Sequence, residues 1–211
     1  MRFGSVVPAL VLALTLAESA NANLIANGSF ESGDFSPPSN QTMTLAPGAT
    51  ALDGWEIVND SIAWIGVGDP WGLDAQDGDR FLDLSDSSAG PPFGGVQQSF
   101  ASTAGYEYTV TFQLGSSTYW GRPAALTVSA AGQSEIFQSA PSGGNNDWDA
   151  ESFVFVATGT TTTLSFVGAS GVNYIGLDNV NVAVSAVPEP ATVLLALSGL
   201  AVLGLHLRRR S

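Results

Sequence analysis

Short runs of alternating apolar and polar residues, separated by turns rich in glycine, proline, asparagine and aspartate, fill the chain between residues 23 and 187. This alternation has the two-residue period of a β-strand, and no segment of the region has the 3.6-residue period of an amphipathic helix. About a dozen strands with turn signals between them predict an all-β fold, built as an antiparallel sandwich of two sheets. One face of the clearest run carries Tyr106, Tyr108, Val110, Phe112 and Leu114.

The predicted strands differ in the apolar surface that they present. The run 152–157 is apolar on both faces, so we expect it at the centre of a sheet. Trp55 and Trp64 lie in apolar strands and are expected in the core, whereas Trp148 is expected to begin a strand. The predicted strands are 23–26, 41–45, 55–58, 62–66, 81–84, 95–101, 106–114, 124–131, 134–138, 150–157, 161–167 and 173–184.

The C-terminal end of the chain has three parts: a proline-rich entry, an apolar run over 191–207 and a basic end. Two prolines around a carboxylate continue neither a strand nor a helix, so the preceding domain ends there. A helix over the apolar run would span roughly 25 Å, slightly less than the ~30 Å core of a bilayer, with the basic end cytoplasmic. The residues of this pattern are Val187, Pro188, Glu189, Pro190, Arg208, Arg209 and Arg210.

This three-part layout resembles the PEP-CTERM sorting signal of bacterial surface proteins. The resemblance implies that an exosortase, a membrane transpeptidase or protease, processes the chain and releases it to the cell surface or the extracellular polysaccharide. Before that step the protein would contact the membrane only through its C-terminal helix. The alternative is a single-pass anchor that is never cut, although a plain anchor has no need of Pro-Glu-Pro at its entry.

The N-terminal end fits export as well. Arg2 supplies a short positive segment, 6–16 an apolar segment of signal-peptide length, and 20–22 (Ala-Asn-Ala) a small-x-small cleavage pattern. An N-terminal anchor is the alternative, but this apolar segment is too short to span a bilayer. The sequence therefore predicts an exported protein of a Gram-negative bacterium, with a signal peptide over 1–22, a β-sandwich over 23–186 and a sorting tail over 187–211.

The charged residues between 23 and 187 are almost all acidic: 17 acids stand against two arginines, which gives a formal net charge of −15. Nucleic acid is excluded as a partner because phosphate binding needs a basic surface. The region has no histidine, cysteine or lysine, so Ser-His-Asp, Cys-His and His-ligated zinc sites are excluded too. Catalysis by carboxylates alone remains open, as in glycoside hydrolysis or a calcium-dependent lyase.

A second resemblance covers nearly all of the predicted sandwich. In order, the chain has N-L-I-A-N-G-S-F-E at 23–31, G-W at 54–55, A-W-I-G at 63–66, D-G-D-R-F-L-D-L at 77–84, G-V-Q-Q-S-F at 95–100, A-G-Y at 104–106 and G-L-D-N-V at 176–180. This ordered set resembles the galactose-binding-like jelly rolls, in particular the choice-of-anchor C domain, which is related to a plant cell-wall family. The resemblance implies a jelly-roll sandwich of the extracellular matrix or cell wall and no defined activity.

A structural calcium ion is a further implication of the resemblance. In carbohydrate-binding relatives, acids at the positions of Glu31 and Asp178 help to hold calcium, and we expect these two residues to converge near one sheet edge. Asn27 and Gly28 suit the tight, left-handed turn that would present carbonyl oxygens to the ion. The alternative is that Glu31 caps a turn and Asp178 starts the last strand through local hydrogen bonds. The acids at 74–79 lack calcium-loop spacing and predict a plain turn.

Aromatic residues in loops suggest a ligand site. Trp71 lies in one glycine-bounded loop, and Tyr119, Trp120 and Arg122 lie in another. If the loops meet, a sugar ring would stack on an indole while the guanidinium donates to its hydroxyls. The alternative is that the rings fold back over the core and Arg122 pairs with one of the many acids.

Three functions compete at this point. The first is a non-catalytic surface or matrix protein that binds extracellular polysaccharide through the jelly roll. The second is a matrix protein without a specific ligand, which contributes bulk, hydration and negative charge. The third is a carboxylate-only glycosidase or lyase, which would need two inward-facing acids ~5–9.5 Å apart in a groove. We expect the first, ahead of the second, and no enzymatic activity.

Overall fold

A computed structural model describes residues 22–38, 40–68, 70, 72–86, 90–117, 123–139, 147–171 and 174–185. None of these residues belongs to a helix with the length and hydropathy of a membrane span. The predicted C-terminal helix, the sorting residues and all but the last residue of the predicted signal peptide lie outside the described residues.

The described part of the chain contains eleven β-strands, which follow one another without a helix between them. β-Branched and aromatic residues, which favour extended backbone, are frequent in them. The strands are β1 (Thr42–Leu45), β2 (Glu56–Val58), β3 (Ile62–Gly66), β4 (Arg80–Asp83), β5 (Gly95–Ala101), β6 (Glu107–Ser116), β7 (Ala124–Ala130), β8 (Gln133–Ser139), β9 (Asp147–Val156), β10 (Thr161–Ser170) and β11 (Gly176–Val184).

The strands form two sheets in which every pair is antiparallel. The six-stranded sheet has the order β1-β3-β4-β11-β6-β9, and the five-stranded sheet has the order β2-β5-β10-β7-β8. The predicted all-β antiparallel sandwich is therefore confirmed. Eleven of the twelve predicted strands are present, with ends that shift by a few residues.

The core lies between the two sheets and is built from alternate residues of each strand. On β6, Tyr108, Val110, Phe112 and Leu114 are buried, as predicted, whereas Tyr106 precedes the strand and is 52 % exposed. Trp55 and Trp64 are buried, as expected, and both indoles donate hydrogen bonds to carbonyls of the N-terminal segment, those of Asn27 and Phe30. Burial of these aromatic rings supplies much of the driving force that joins the two sheets.

The prediction that 152–157 is a central strand is wrong. This run belongs to β9, which is an edge strand of the six-stranded sheet. Phe153 and Phe155 face the core, but Val154 and Val156 on the opposite face are 48 % and 42 % exposed. Valine favours extended backbone whether or not its side chain is buried, so an apolar run on both faces does not require a central position.

The predicted strand at 23–26 is also absent. This segment runs beside β11 and makes one backbone hydrogen bond to it, from the amide of Leu24 to the carbonyl of Val182, while the side chain of Asn23 makes two more. Its Nδ2 donates to the carbonyl of Val180 (3.0 Å), and its Oδ1 accepts from the amide of Val182 (2.9 Å). The first and last segments of the sandwich are therefore adjacent, as the jelly-roll resemblance implies, without a regular ladder between them.

Candidate functional site

The predicted sugar-binding residues cannot be placed in this structure. Trp71, Tyr119, Trp120 and Arg122 lie outside the described residues. The aromatic ligand site therefore stays a prediction.

The opening motif at 27–31 organises one end of the sandwich. Asn27 is in the left-handed region (φ 53°), and its Nδ2 donates to the carbonyls of Ser32 and Asp53, both at 2.9 Å. Gly28 approaches the β11 backbone so closely that a Cβ there would lie 2.0 Å from the carbonyl oxygen of Val180. Asn27 thus has the predicted turn conformation, and Gly28 is needed for close contact between segments.

Glu31 caps the turn that leads into β4. Its Oε1 accepts hydrogen bonds from the amides of Asp79 (2.8 Å) and Arg80 (2.7 Å), and its Oε2 lies 3.3 Å from the Arg80 guanidinium. The same guanidinium lies 4.9 Å from the centre of the Phe35 ring. Arg80 is the only basic residue in the described part of the chain. Its guanidinium is occupied by these contacts, which stabilise the fold.

Asp178 lies on β11 and is completely buried. Its Oδ2 accepts from the amides of Gln76 (2.8 Å) and Asp77 (2.9 Å), and its Oδ1 accepts from the amide of Asn179 (2.7 Å). Burial raises the pKa of the Asp178 carboxyl to about 7, although the three amide donors act in the opposite direction by stabilising the carboxylate.

Glu31 and Asp178 therefore meet at one turn, residues 76–80, although Asp178 lies on a central strand and not near a sheet edge. Glu31 caps a turn, as in the alternative interpretation, but only one of the Asp178 contacts, with the amide of Asn179, is local, because Gln76 and Asp77 are distant in sequence. Among the described residues no three acidic, histidine or cysteine side chains converge as metal ligands. A calcium ion here would have to share oxygens that already accept amide hydrogen bonds, and calcium binding stays a prediction.

A second apolar cluster lies on the outer face of the six-stranded sheet. Trp148 covers the two glycines Gly115 and Gly176, where a Cβ would lie 2.7 Å and 3.0 Å from its indole. The indole donates to the carbonyl of Asp74 (2.9 Å) and packs edge-on against Phe81. Trp148 begins β9, as predicted, but its role in fixing the 72–80 segment over the sheet could not be inferred from the sequence.

An open cleft of about 430 Å³ lies at the β2 end of the five-stranded sheet. The turn at 48–50 and the segment 52–56 line it, and Leu52 and Trp55, at 2 % and 4 % exposure, form an apolar floor. The carboxyl-bearing residues Asp53 and Glu56 are exposed at its rim. Gln97 on the neighbouring strand donates to Glu56 Oε2 at 2.7 Å and orients that carboxylate.

This cleft combines an apolar floor with hydrogen-bond acceptors, which suits a neutral polyhydroxylated ligand better than an anionic one. Carboxylates accept hydrogen bonds from hydroxyl groups, and they repel carboxylate or sulfate groups on a ligand. This site could not be predicted from the sequence, because acids in a glycine- and alanine-containing turn are usually solvated loop residues.

Comparison with known families matches most of the chain. A family model described as "Protein of unknown function (DUF642)" matches residues 23–174, and a model of the PEP-CTERM protein-sorting motif matches residues 186–210. The predicted sorting motif is confirmed, and it marks an exported protein that is sorted at the membrane. The choice-of-anchor C label stays a prediction.

Individual proteins are also similar to large parts of this chain. Halomucin from Haloquadratum walsbyi is 32 % identical over 172 residues, which are 79 % of this chain but only 2 % of that protein. A family 35 carbohydrate binding module from Clostridium thermocellum has 12 % identity and a TM-score of 0.45 over 66 % of this chain and 97 % of its own. TmCBM61 in complex with β-1,4-galactotriose has 18 % identity and a TM-score of 0.42, over 77 % and 99 % of the two chains.

Proposed function

The chain belongs to the DUF642 family of proteins of unknown function, and we propose that it is a non-catalytic surface or matrix protein that binds neutral extracellular polysaccharide. The sorting motif supports export and processing by an exosortase. A Gram-negative cell surface or its surrounding matrix is the destination that we propose, because the exosortase resemblance implies it.

The observation that carries the proposal is the cleft at 48–56. Asp53 and Glu56 offer acceptors to the hydroxyls of a sugar, and Ala49 and Thr50 offer apolar atoms at the surface above the buried Leu52 and Trp55. Its volume is within the range of small-ligand sites. An open cleft of this kind admits an internal unit of a polymer as well as a chain end.

The charge of the domain supports a neutral ligand. The region 23–187 has a formal net charge of −15, and the one basic residue described, Arg80, is paired with Glu31. An anionic polysaccharide would therefore meet repulsion, and the described residues offer no unpaired cation to offset it. Binding of a neutral polymer should change little with ionic strength, since no charge pair forms or breaks.

The test is affinity electrophoresis of the purified protein in gels that contain hydroxyethyl cellulose, galactomannan or dextran, with alginate as the anionic comparison. We expect slower migration in at least one neutral gel and none of this retardation in alginate. Asp53→Ala and Glu56→Ala should each remove most of the retardation. Glu107→Ala is the matched control, because Glu107 is also an exposed acid at the start of a strand but lies on the other sheet.

Two outcomes would contradict the proposal. Unchanged migration in all three neutral gels would show that the protein does not bind polymers of this class, and would favour a matrix protein without a specific ligand. If the protein instead released reducing ends from the polysaccharide that retards it, and the two cleft variants lost this activity, it would be a carboxylate-dependent glycosidase.

A further inference from the structure

A row of polar side chains crosses the outer face of the five-stranded sheet. The strand register pairs Glu56 of β2 with Gln97 of β5, Gln97 with Ser165 of β10, Ser165 with Ser129 of β7, and Ser129 with Ser134 of β8. Each of the five alternates with the core-facing positions of its strand, for example Ile57, Val96, Phe166, Val128 and Phe137, so all five lie on the outer face. All are half-buried or exposed.

A second row, two residues away along each strand, is mainly apolar. It consists of Val58, Gly95, Val167, Thr127 and Ile136 in the same strand order. Ile136 is 59 % exposed, more than any other large hydrophobic residue described on this sheet. Gly95, the second of the five positions, has no side chain and is buried.

The two rows run side by side from the cleft to the far edge of the sheet. Glu56 belongs both to the cleft and to the polar row, so the two features are continuous. Five strands at ~4.8 Å spacing give the rows a length of roughly 19 Å, and two residues along a strand separate them by about 6.8 Å. The ten positions of the two rows together form a long, narrow surface, here called the strip, which is larger than the contact area of one sugar ring.

We propose that the paired rows bind an extended, neutral polysaccharide chain that lies across the strands and continues into the cleft. The hydroxyl and amide groups of the polar row would exchange hydrogen bonds with sugar hydroxyls, and the apolar row would contact C–H groups along one side of the chain. This inference rests on the proposed function, and it adds where the polymer lies and why a long chain binds better than a short one.

The chemistry of the rows favours this occupant over others. Glu56 is the only ionisable residue among the ten positions, so the strip offers no cation to a phosphate, a sulfate or an acidic polysaccharide. Its serine, threonine and glutamine side chains both donate and accept, as a ligand rich in hydroxyls requires. A second copy of the chain, which would bury the valine and isoleucine positions, is the other occupant that the experiment has to distinguish.

The experiment uses Ser129→Arg, which places a long side chain in the middle of the polar row. Thr111→Arg is the matched control, because Thr111 is an exposed residue on the outer face of an internal strand of the opposite sheet. Both variants carry the same added charge. Retardation is measured in the neutral gel that retains the wild-type protein, with two-unit and six-unit oligosaccharides of that polymer as soluble competitors.

We expect the six-unit oligosaccharide to compete at least about tenfold better than the two-unit one against the wild-type protein. Ser129→Arg should remove this advantage of length while leaving competition by the two-unit sugar, which the cleft alone accommodates. Thr111→Arg should behave as wild type.

The failures of the two proposals are distinguishable. If the cleft variants lose retardation but Ser129→Arg does not, the polymer does not bind along the paired rows. The proposed function would still hold in that case. Absence of wild-type retardation in every neutral gel would overturn both. A wild-type protein that sediments as a dimer, with Ser129→Arg a monomer, would assign the strip to a second copy of the chain instead.

Discussion

Glu31 and Asp178, which are 147 positions apart in sequence, accept hydrogen bonds from the two ends of the same five-residue turn. Glu31 binds the amides of Asp79 and Arg80, and Asp178 binds those of Gln76 and Asp77. The opening segment and β11 are thereby joined through residues 76–80. Because hydrogen bonds to a carboxylate stabilise the fold, both carboxyl groups should matter for stability whether or not they also bind an ion.

The first prediction concerns pH and Asp178. Its pKa is about 7 in the folded protein and near 3.8 when unfolded, so between these values the folded state holds a proton that the unfolded state has lost. The free energy of unfolding should therefore fall as pH rises from about 4 to about 7 and level off above, by on the order of 4 kcal/mol at most. Urea denaturation at a series of pH values measures this slope.

Asp178→Asn isolates this contribution from the other acids. The amide does not titrate, so the difference in free energy of unfolding between variant and wild type should vary between pH 4 and 7 and stay constant above. A constant difference for Asp178→Asn would mean that its amide donors keep the carboxylate charged throughout.

The second prediction concerns the cap made by Glu31. Glu31→Ala leaves the amides of Asp79 and Arg80 without their acceptor and removes the partner of the guanidinium, so we expect a loss of about 1–3 kcal/mol in the free energy of unfolding. Glu31→Gln keeps one carbonyl acceptor and should lose less. Chemical denaturation measures both, and equal stability of Glu31→Ala and wild type would show that water replaces the cap.

The third prediction concerns the contact between Gly115 and Trp148. An alanine Cβ at 115 would lie 2.7 Å from the indole and 2.9 Å from Leu73, so Gly115→Ala should cost about 1–3 kcal/mol through overpacking. At Gly90 a Cβ would meet nothing within 4 Å, and Gly90→Ala should change stability by less than about 0.5 kcal/mol. Thermal unfolding of the two variants measures this difference. Equal melting temperatures for Gly115→Ala and Gly90→Ala would mean that Trp148 moves away easily.

The sequence predicts those features of the fold that depend on local residue pattern, namely where strands lie and which of their faces is buried. Alternation predicted the strands and the buried residues of β6, because a residue on the inner face recurs every second position. It misplaced β9 and the 23–26 segment, because the position of a strand within a sheet and replacement of a ladder by the Asn23 side chain depend on segments distant in sequence.

The candidate sites show the same limit. The sequence motifs predict that Glu31 and Asp178 lie close together, but the turn that both contact is connected to neither of them by any spacing rule. The polar row that includes Gln97 and Ser165 becomes visible only when the strand order is known, since it takes one residue from each of five strands. Within its own strand, each member of the row looks like an ordinary residue that faces solvent.

The fourth prediction concerns the aromatic loops, whose residues lie outside the described part of the chain. If Trp71 and Trp120 form a second sugar-binding surface, Trp120→Ala should weaken retardation in the neutral gel while the melting transition stays nearly unchanged. A large loss of stability would mean that this indole packs in the core. Retardation that is unchanged in both Trp71→Ala and Trp120→Ala would exclude this surface and leave the cleft as the candidate.

The last prediction concerns calcium at Glu31 and Asp178. An ion that binds only the folded protein would raise the free energy of unfolding by about 2.7 kcal/mol at a hundredfold excess over its Kd. Calorimetry should then show a higher melting temperature in millimolar calcium than in chelator, and Asp178→Asn should abolish the gain. An equal gain with magnesium would indicate screening of the −15 charge. Identical transitions in calcium and chelator would leave amide capping as the role of both carboxylates, because their oxygens already accept five backbone hydrogen bonds.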